Sequence, residues 1–235
     1  GTTSRGLGDV YKRQPLWDKT GEHIAFMSNR RNGASNDVWT MPIDKPDQAE
    51  MVLESPDGTW WGPIDWSNDG KHLLIQNYIS ITNSKVYLVD LETKEKRLIL
   101  GNLAEPSVNS GLAFDATNTG VFFTTDTFAE FNQLAHKNLV TGEVTIISQD
   151  INWDVDGFAI SSDGKRAAFK VNENGFSALY LLNTQTLQYQ QVEDLPMGLV
   201  GGMQFNEAGS QLGLSLNTYQ SPSDTYTLAL SRNPL

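Results

Sequence analysis

Short apolar runs recur along the chain, and each follows a polar reversal of nearly constant form. His23-Ile24-Ala25-Phe26 follows Trp17-Asp18-Lys19-Thr20-Gly21, and His72-Leu73-Leu74-Ile75 follows Trp66-Ser67-Asn68-Asp69-Gly70. The same arrangement returns at Phe114-Asp115-Ala116-Thr117-Asn118 before Val121-Phe122-Phe123, at Ile160-Ser161-Ser162-Asp163-Gly164 before Ala167-Ala168-Phe169, and at Phe205-Asn206-Glu207-Ala208-Gly209 before Leu212-Gly213-Leu214. An aromatic or branched residue closes one strand, Gly or Asn supplies the positive φ of a tight turn, and a second strand follows. Each copy predicts a hairpin.

Gly21, Gly70, Asn118, Gly164 and Gly209 are spaced by 49, 48, 46 and 45 residues, a drift that loop-length variation explains. A period of this length filled by short strands is that of a four-stranded propeller blade, whereas armadillo-type repeats of similar length are helical. The fold class expected is all-β, a β-propeller of four-stranded antiparallel blades. About five blades are present, as an open arc of a roughly seven- or eight-bladed ring. The blades span approximately 15–55, 56–103, 104–149, 150–193 and 194–235, the last incomplete. The second is the fullest copy, with strands at 62–66, 72–79, 85–90 and 96–100. Pro63, Gly111, Gly157 and Gly202 form a column of compact residues just ahead of each strand-ending residue, either where inner strands converge on an axis or at a loop-to-strand junction. Trp39, Tyr87, Tyr180 and Tyr226 form another, with His136 near the corresponding place as a packed or edge residue.

Composition narrows the function classes. Of 235 residues, 39% are hydrophobic, enough for a substantial core, and the formal charge of −11 disfavours nucleic acid or an anionic membrane surface as partner. No apolar run is long enough for membrane insertion. With no cysteine, disulfides and thiolate metal sites are excluded, while cytoplasm and periplasm both stay open. The leading segment, residues 1–14, carries Arg5, Lys12 and Arg13 against Asp9, a net +2 that leaves −13 for the rest. It fits no blade, and Asp9-Val10-Tyr11-Lys12-Arg13-Gln14 resembles the in-frame translation of a sequencing-library adapter. The expectation is a non-native scar on a gene fragment from a metagenome, or else a disordered arm.

Catalytic chemistry finds little support. The nearest approach to a Gly-x-Ser-x-Gly elbow is Gly33-Ala34-Ser35-Asn36-Asp37, which lacks the second glycine and falls in a hairpin loop. The three histidines, His23, His72 and His136, sit in different blades, so neither a triad nor a metal site is expected. Inner-strand carboxylates Asp65, Asp154 and Asp156 keep a propeller glycosidase open as one alternative. Catalytic residues, cofactors and metals are each expected to be none.

The pattern aromatic-Ser-x-Asp-Gly-Lys, then an apolar strand, then Asp-Val-Trp or Val-Tyr-Leu-Val-Asp-Leu, resembles the WD40-like blades of two groups: TolB-type propellers and the propellers of prolyl oligopeptidase-family (S9) serine peptidases. Residues 195–203 with Ser221-Pro222-Ser223-Asp224-Thr225-Tyr226 look like the final propeller blade of bacterial S9 peptidases. That resemblance implies a non-catalytic propeller gating peptide substrates, with a C-terminal α/β-hydrolase domain of the same parent chain as partner. A TolB-like interaction propeller is the alternative. The matching residues Trp66, Gly70, Tyr87, Asp90, Gly164, Tyr180, Gly209 and Tyr226 are scaffold positions, and the paired glutamates by which some relatives hold a substrate amino terminus are missing. Connectors entering the inner strands carry Trp60, Trp61, Val108, Trp153, Met197 and Leu199. Of these, Trp60, Trp61, Trp153, Met197 and Leu199 are the expected interface residues, unless each Trp fills a gap between blades.

Overall fold

A computed structural model describes residues 15–56 and 58–232. The leading segment 1–14 lies outside the described residues. Five antiparallel sheets follow one another along the chain, as blades of a β-propeller do. The first is β1 (Leu16–Trp17), β2 (His23–Ser28), β3 (Asp37–Pro42) and β4 (Glu50–Leu53); the second is β5 (Trp60–Trp66), β6 (His72–Ser80), β7 (Asn83–Asp90) and β8 (Lys96–Leu100). The third is β9 (Asn109–Phe114), β10 (Gly120–Thr125), β11 (Gln133–Asn138) and β12 (Val144–Ile146). The fourth is β13 (Val155–Ile160), β14 (Arg166–Glu173), β15 (Phe176–Asn183) and β16 (Tyr189–Gln191). The fifth has three strands, β17 (Leu199–Phe205), β18 (Gln211–Asn217) and β19 (Asp224–Ala229). The chain divides into two compact units, 1–114 and 115–235.

The five repeat turns are built alike. The N–H of Gly21, Gly70, Asn118, Gly164 and Gly209 donates to the carbonyl three residues back, on Asp18, Ser67, Asp115, Ser161 and Asn206. All five have φ between 60° and 73°, the left-handed region the sequence pattern calls for. In four of the five turns the opening residue also satisfies the next strand's first amide, whereas Asp115 accepts from Thr117 and Thr119 N–H within the turn. Asp18 and Asn206 accept directly, from His23 N–H and Gln211 N–H, whereas Ser67 and Ser161 accept from His72 and Arg166 and donate to Asp69 and Asp163 at 2.6 Å. Two side-chain solutions thus close one backbone shape.

Inner strands start earlier than the sequence pattern indicates. β5, β13 and β17 reach back to Trp60, Val155 and Leu199, across register shifts between Pro63 and Asp65, Val155 and Gly157, and Val200 and Met203. A bulge breaks the period-two alternation, so the residues before it read as loop. Pro63, Gly157 and Gly202 therefore sit at bulges, where a compact residue costs least. The aromatic column holds in register: Trp39, Tyr87, Tyr180 and Tyr226 face Phe26, Ile75, Phe169 and Leu214. His136 lies one residue beyond that column. Ala135 takes the column position against Phe123, and His136 faces Phe122 on the other side of the sheet.

Each unit has its own core between successive sheets. In the first, Ala25, Val38, Val52 and Leu53 pack with Trp61, Trp66, Leu73 and Ile75; in the second, Ala168, Leu179 and Val192 pack with Val200, Leu212 and Leu216. Polar groups join the sheets as well. Ser84 Oγ accepts from Asn109 N–H at 3.0 Å and donates to its carbonyl, and Ser177 Oγ accepts from Val200 N–H at 2.9 Å. Asn132 holds Val155 N–H through its own carbonyl at 2.9 Å. These three residues occupy one repeat position, three before the aromatic column, and each fixes the following inner strand.

Candidate functional site

Strand order determines what each sheet end carries. In an antiparallel sheet, the loops between second and third strands and the connectors from one sheet to the next emerge at the same end; the repeat turns and the third-to-fourth turns emerge at the other. In the first unit, exposed Tyr78, Ile79, Ile81 and Leu103 lie at the connector end, against Trp17 and Ile43 at the turn end. In the second, Phe128, Phe176, Met197, Leu199 and Tyr219 lie at the connector end, against Val140 alone among the described residues. Ile81 is 83% exposed and Tyr219 90% exposed. Scattered surface apolars need no explanation, but their segregation to one end in both units does.

Grooves open among these residues. In the first unit, one of about 610 Å³ is lined by Trp60, Pro63, Ile64, Tyr78, Ile81 and Val108. In the second, one of about 510 Å³ is lined by Phe176, Leu195, Pro196 and Met197, with Glu173, Glu193 and Asp194 at its edge.

The expected interface set divides. Met197 and Leu199 are exposed at 66% and 45%. Trp60 is half-buried, its ring folded over Gly62 at the groove, where a Cβ on Gly62 would collide with it. Trp153 is half-buried, 6.5 Å from the Phe131 ring, while the adjacent Asp154 accepts from Asn132 N–H. Trp61 does not belong on a rim. It is 2% exposed, 4.9 Å from the Tyr87 ring and beneath Lys96 Nζ. Adjacent strand residues leave opposite faces, so with Trp60 at the groove Trp61 must enter the core.

The candidate catalytic residues are all committed to local structure. Ser35 lies in the loop between β2 and β3, its N–H bound by Asn32 Oδ1. His23 and His72 begin β2 and β6 at the opposite sheet end and pair with Asp18 at 3.4 Å and Asp90 at 3.6 Å. His136 pairs with Asp115 at 3.1 Å and packs on Phe122. Gly120 makes room for that pair, since a Cβ there would strike both partners. Burial alone would raise the Asp115 pKa, but bonds from His136 and Thr117 outweigh it, and the carboxyl is held below its ordinary value. The sequence placed His136 as a packed residue without its acidic partner; the polar residue opening the third repeat turn was the available signal.

The inner-strand carboxylates are similarly engaged. Asp65 is bound to Lys19 at 3.0 Å and to Phe114 N–H at 2.9 Å, and its burial pushes its pKa up despite both. Asp156 pairs with Lys170 at 3.1 Å. Among the described residues, no group of three or more His, Asp or Glu is placed to hold a metal ion. Among the described residues, no helix is long and apolar enough to cross a membrane.

Known proteins resemble the chain in the same way. The family model for the prolyl oligopeptidase N-terminal β-propeller domain matches residues 3–232. No curated protein matches. Among solved structures, a prolyl endopeptidase superposes with a TM-score of 0.76 at 14% identity, over 95% of this chain and 34% of that one. Prolyl oligopeptidase B from Galerina marginata gives 0.75 at 12%, over 93% and 32%. TolB from Acinetobacter baumannii gives 0.68 at 16%, over 93% and 51%. At these identities the superpositions establish the fold, and the chain spans about a third of the two prolyl peptidases. The match over residues 3–232 assigns the family: this chain belongs to the prolyl oligopeptidase N-terminal β-propeller domains.

Proposed function

We propose that this propeller is the non-catalytic part of an S9-type serine peptidase, and that its connector ends face an α/β-hydrolase domain and limit which peptides reach it. The observation carrying this reading is the segregation, among the described residues, of nine exposed large apolar residues to the connector ends, against three at the turn ends. A surface that meets another domain needs such residues, and a surface that meets only water does not.

The test supplies a prolyl-oligopeptidase-type hydrolase domain in trans and measures its affinity for the 235-residue protein. Tyr78→Ser with Ile81→Ser, and Met197→Ser with Leu199→Ser, are each expected to weaken binding about fivefold or more, as loss of an interface anchor does. Val140→Ser, at the turn end, is expected to leave it unchanged. Equal affinity for all three proteins, or a loss confined to Val140→Ser, contradicts the proposal.

A further inference from the structure

Charge in the second unit is segregated along the same direction as the apolar residues. The loop between β10 and β11 brings Asp126 and Glu130 to the connector end; the connectors bring Asp150, Asp154, Glu193 and Asp194; strand ends bring Asp156, Glu173 and Asp224. Among the described residues, Lys170 is the one base there, and Asp156 already holds it at 3.1 Å. Nine carboxylates against one ammonium give −8. At the turn end, Asp115, Glu143, Asp163 and Glu207 stand against Lys137, Lys165, Arg166 and Arg232, with no net charge. The first unit shows no such bias among the described residues, since at its connector end Asp37, Glu54 and Glu105 are matched by Arg30, Arg31 and Lys85.

The acidic end also contains the apolar groove of about 510 Å³, whose floor is buried Ala178, Leu179 and Val192, whose more exposed apolar lining is Phe176, Leu195, Pro196 and Met197, and whose exposed charged edge is Glu173, Glu193 and Asp194. No lysine or arginine lines it. An apolar floor with an edge whose charged groups are all anionic complements one kind of occupant: an apolar side chain flanked by cationic ones. The floor takes the hydrophobic group from water while the carboxylates draw in and orient the flanking charges. A neutral apolar segment would forgo the edge, and an acidic one would be repelled by it.

We propose that the connector end of the second unit binds basic peptide segments, with an aliphatic or aromatic residue seated against Phe176 and Met197 and adjacent Lys or Arg facing Glu173, Glu193 and Asp194. This rests on the reading that the connector ends meet peptides, and adds the class of peptide admitted. Loss of hydrolase docking with peptide selectivity intact would count against that reading and leave this proposal standing.

The experiment measures binding of three dye-labelled synthetic peptides to the 235-residue protein by fluorescence anisotropy. One carries Lys on both sides of a Leu-Phe pair, the second replaces Lys by Glu, and the third keeps Lys but replaces Leu-Phe by Ser-Ser. The first is expected to bind tightest and to weaken strongly with salt, since exposed charges are screened within about 10 Å at ~0.1 M. Each neutralisation among Glu173→Gln, Glu193→Gln and Asp194→Asn should cost about two- to fivefold, the range of an exposed ion pair. Met197→Ser should weaken the first peptide and leave the third unchanged. Glu143→Gln with Glu207→Gln, which changes net charge at the turn end, should do nothing. Circular dichroism of each variant confirms that it folds. The proposal is overturned if no peptide binds, if the Lys and Glu peptides bind alike, or if the turn-end pair weakens binding as much as the groove variants do.

Discussion

At the scale of single residues, the repeat turns and one buried carboxylate yield opposite predictions. Gly70 and Gly164 share a left-handed φ of 69° and 68°, but a Cβ on Gly70 would meet nothing within 4 Å, while one on Gly164 would lie 2.9 Å from Ala116 Cβ. Gly70→Ala should cost about 1 kcal/mol for the backbone alone, and Gly164→Ala visibly more, in urea unfolding. Equal losses would mean that Ala116 yields freely. Asp115, bonded to His136 and Thr117, has a lowered pKa, so its stabilisation is complete above the unfolded value of about 4 and lost as pH falls through the lower folded value. Asp65 runs the other way. Burial raises its folded pKa, so the cost of ionising it grows as pH rises above the unfolded value. Asp65→Asn, still able to accept from Phe114 N–H, should therefore gain on the parent protein between pH 3 and 7. A difference that is flat or falls with pH would contradict this. The turn glycines were legible in the sequence because positive φ restricts residue type so strongly. The environment of Asp65 was not, since Lys19 and Phe114 lie 46 and 49 residues away.

At the scale of strands and sheets, the second, third and fourth strands follow the period-two pattern closely: in the second sheet β8 has the bounds the pattern implies, and β6 and β7 differ from theirs by one and two residues. The inner strands do not, because their bulges shift the alternation partway along. Trp60 and Trp61 were read as one connector for this reason, although as strand neighbours they serve opposite faces. The Ser84 and Ser177 bonds to the next inner strand gave no pattern signal, since serine at a strand start is common. Ser177→Ala would leave Val200 N–H without its 2.9 Å acceptor, at a cost of about 1–2 kcal/mol. Amide exchange at Val200 should quicken more than at Leu182 in the same unit. Unchanged exchange at Val200 would show that the serine is dispensable.

At the scale of the whole molecule, the fold class was legible because five copies of one turn fix the repeat, and the repeat fixes the blade. Which sheet end carries the exposed apolar residues was less legible. It requires knowing both where each loop emerges and which of its apolar residues remain exposed, and exposure depends on neighbours distant in sequence, as the contrast between Trp61 and Met197 shows. The family assignment and the segregated apolar residues lead to one account, in which the connector ends are the working face. Hydrogen exchange on the protein alone and with a prolyl-oligopeptidase-type hydrolase domain tests it most directly. The account predicts that protection on binding is confined to the connector ends, at residues 78–84, 102–108, 126–132, 173–177, 193–199 and 217–223. Protection instead at the turns around Ile43 and Val140, or none anywhere at saturating hydrolase domain, would contradict it.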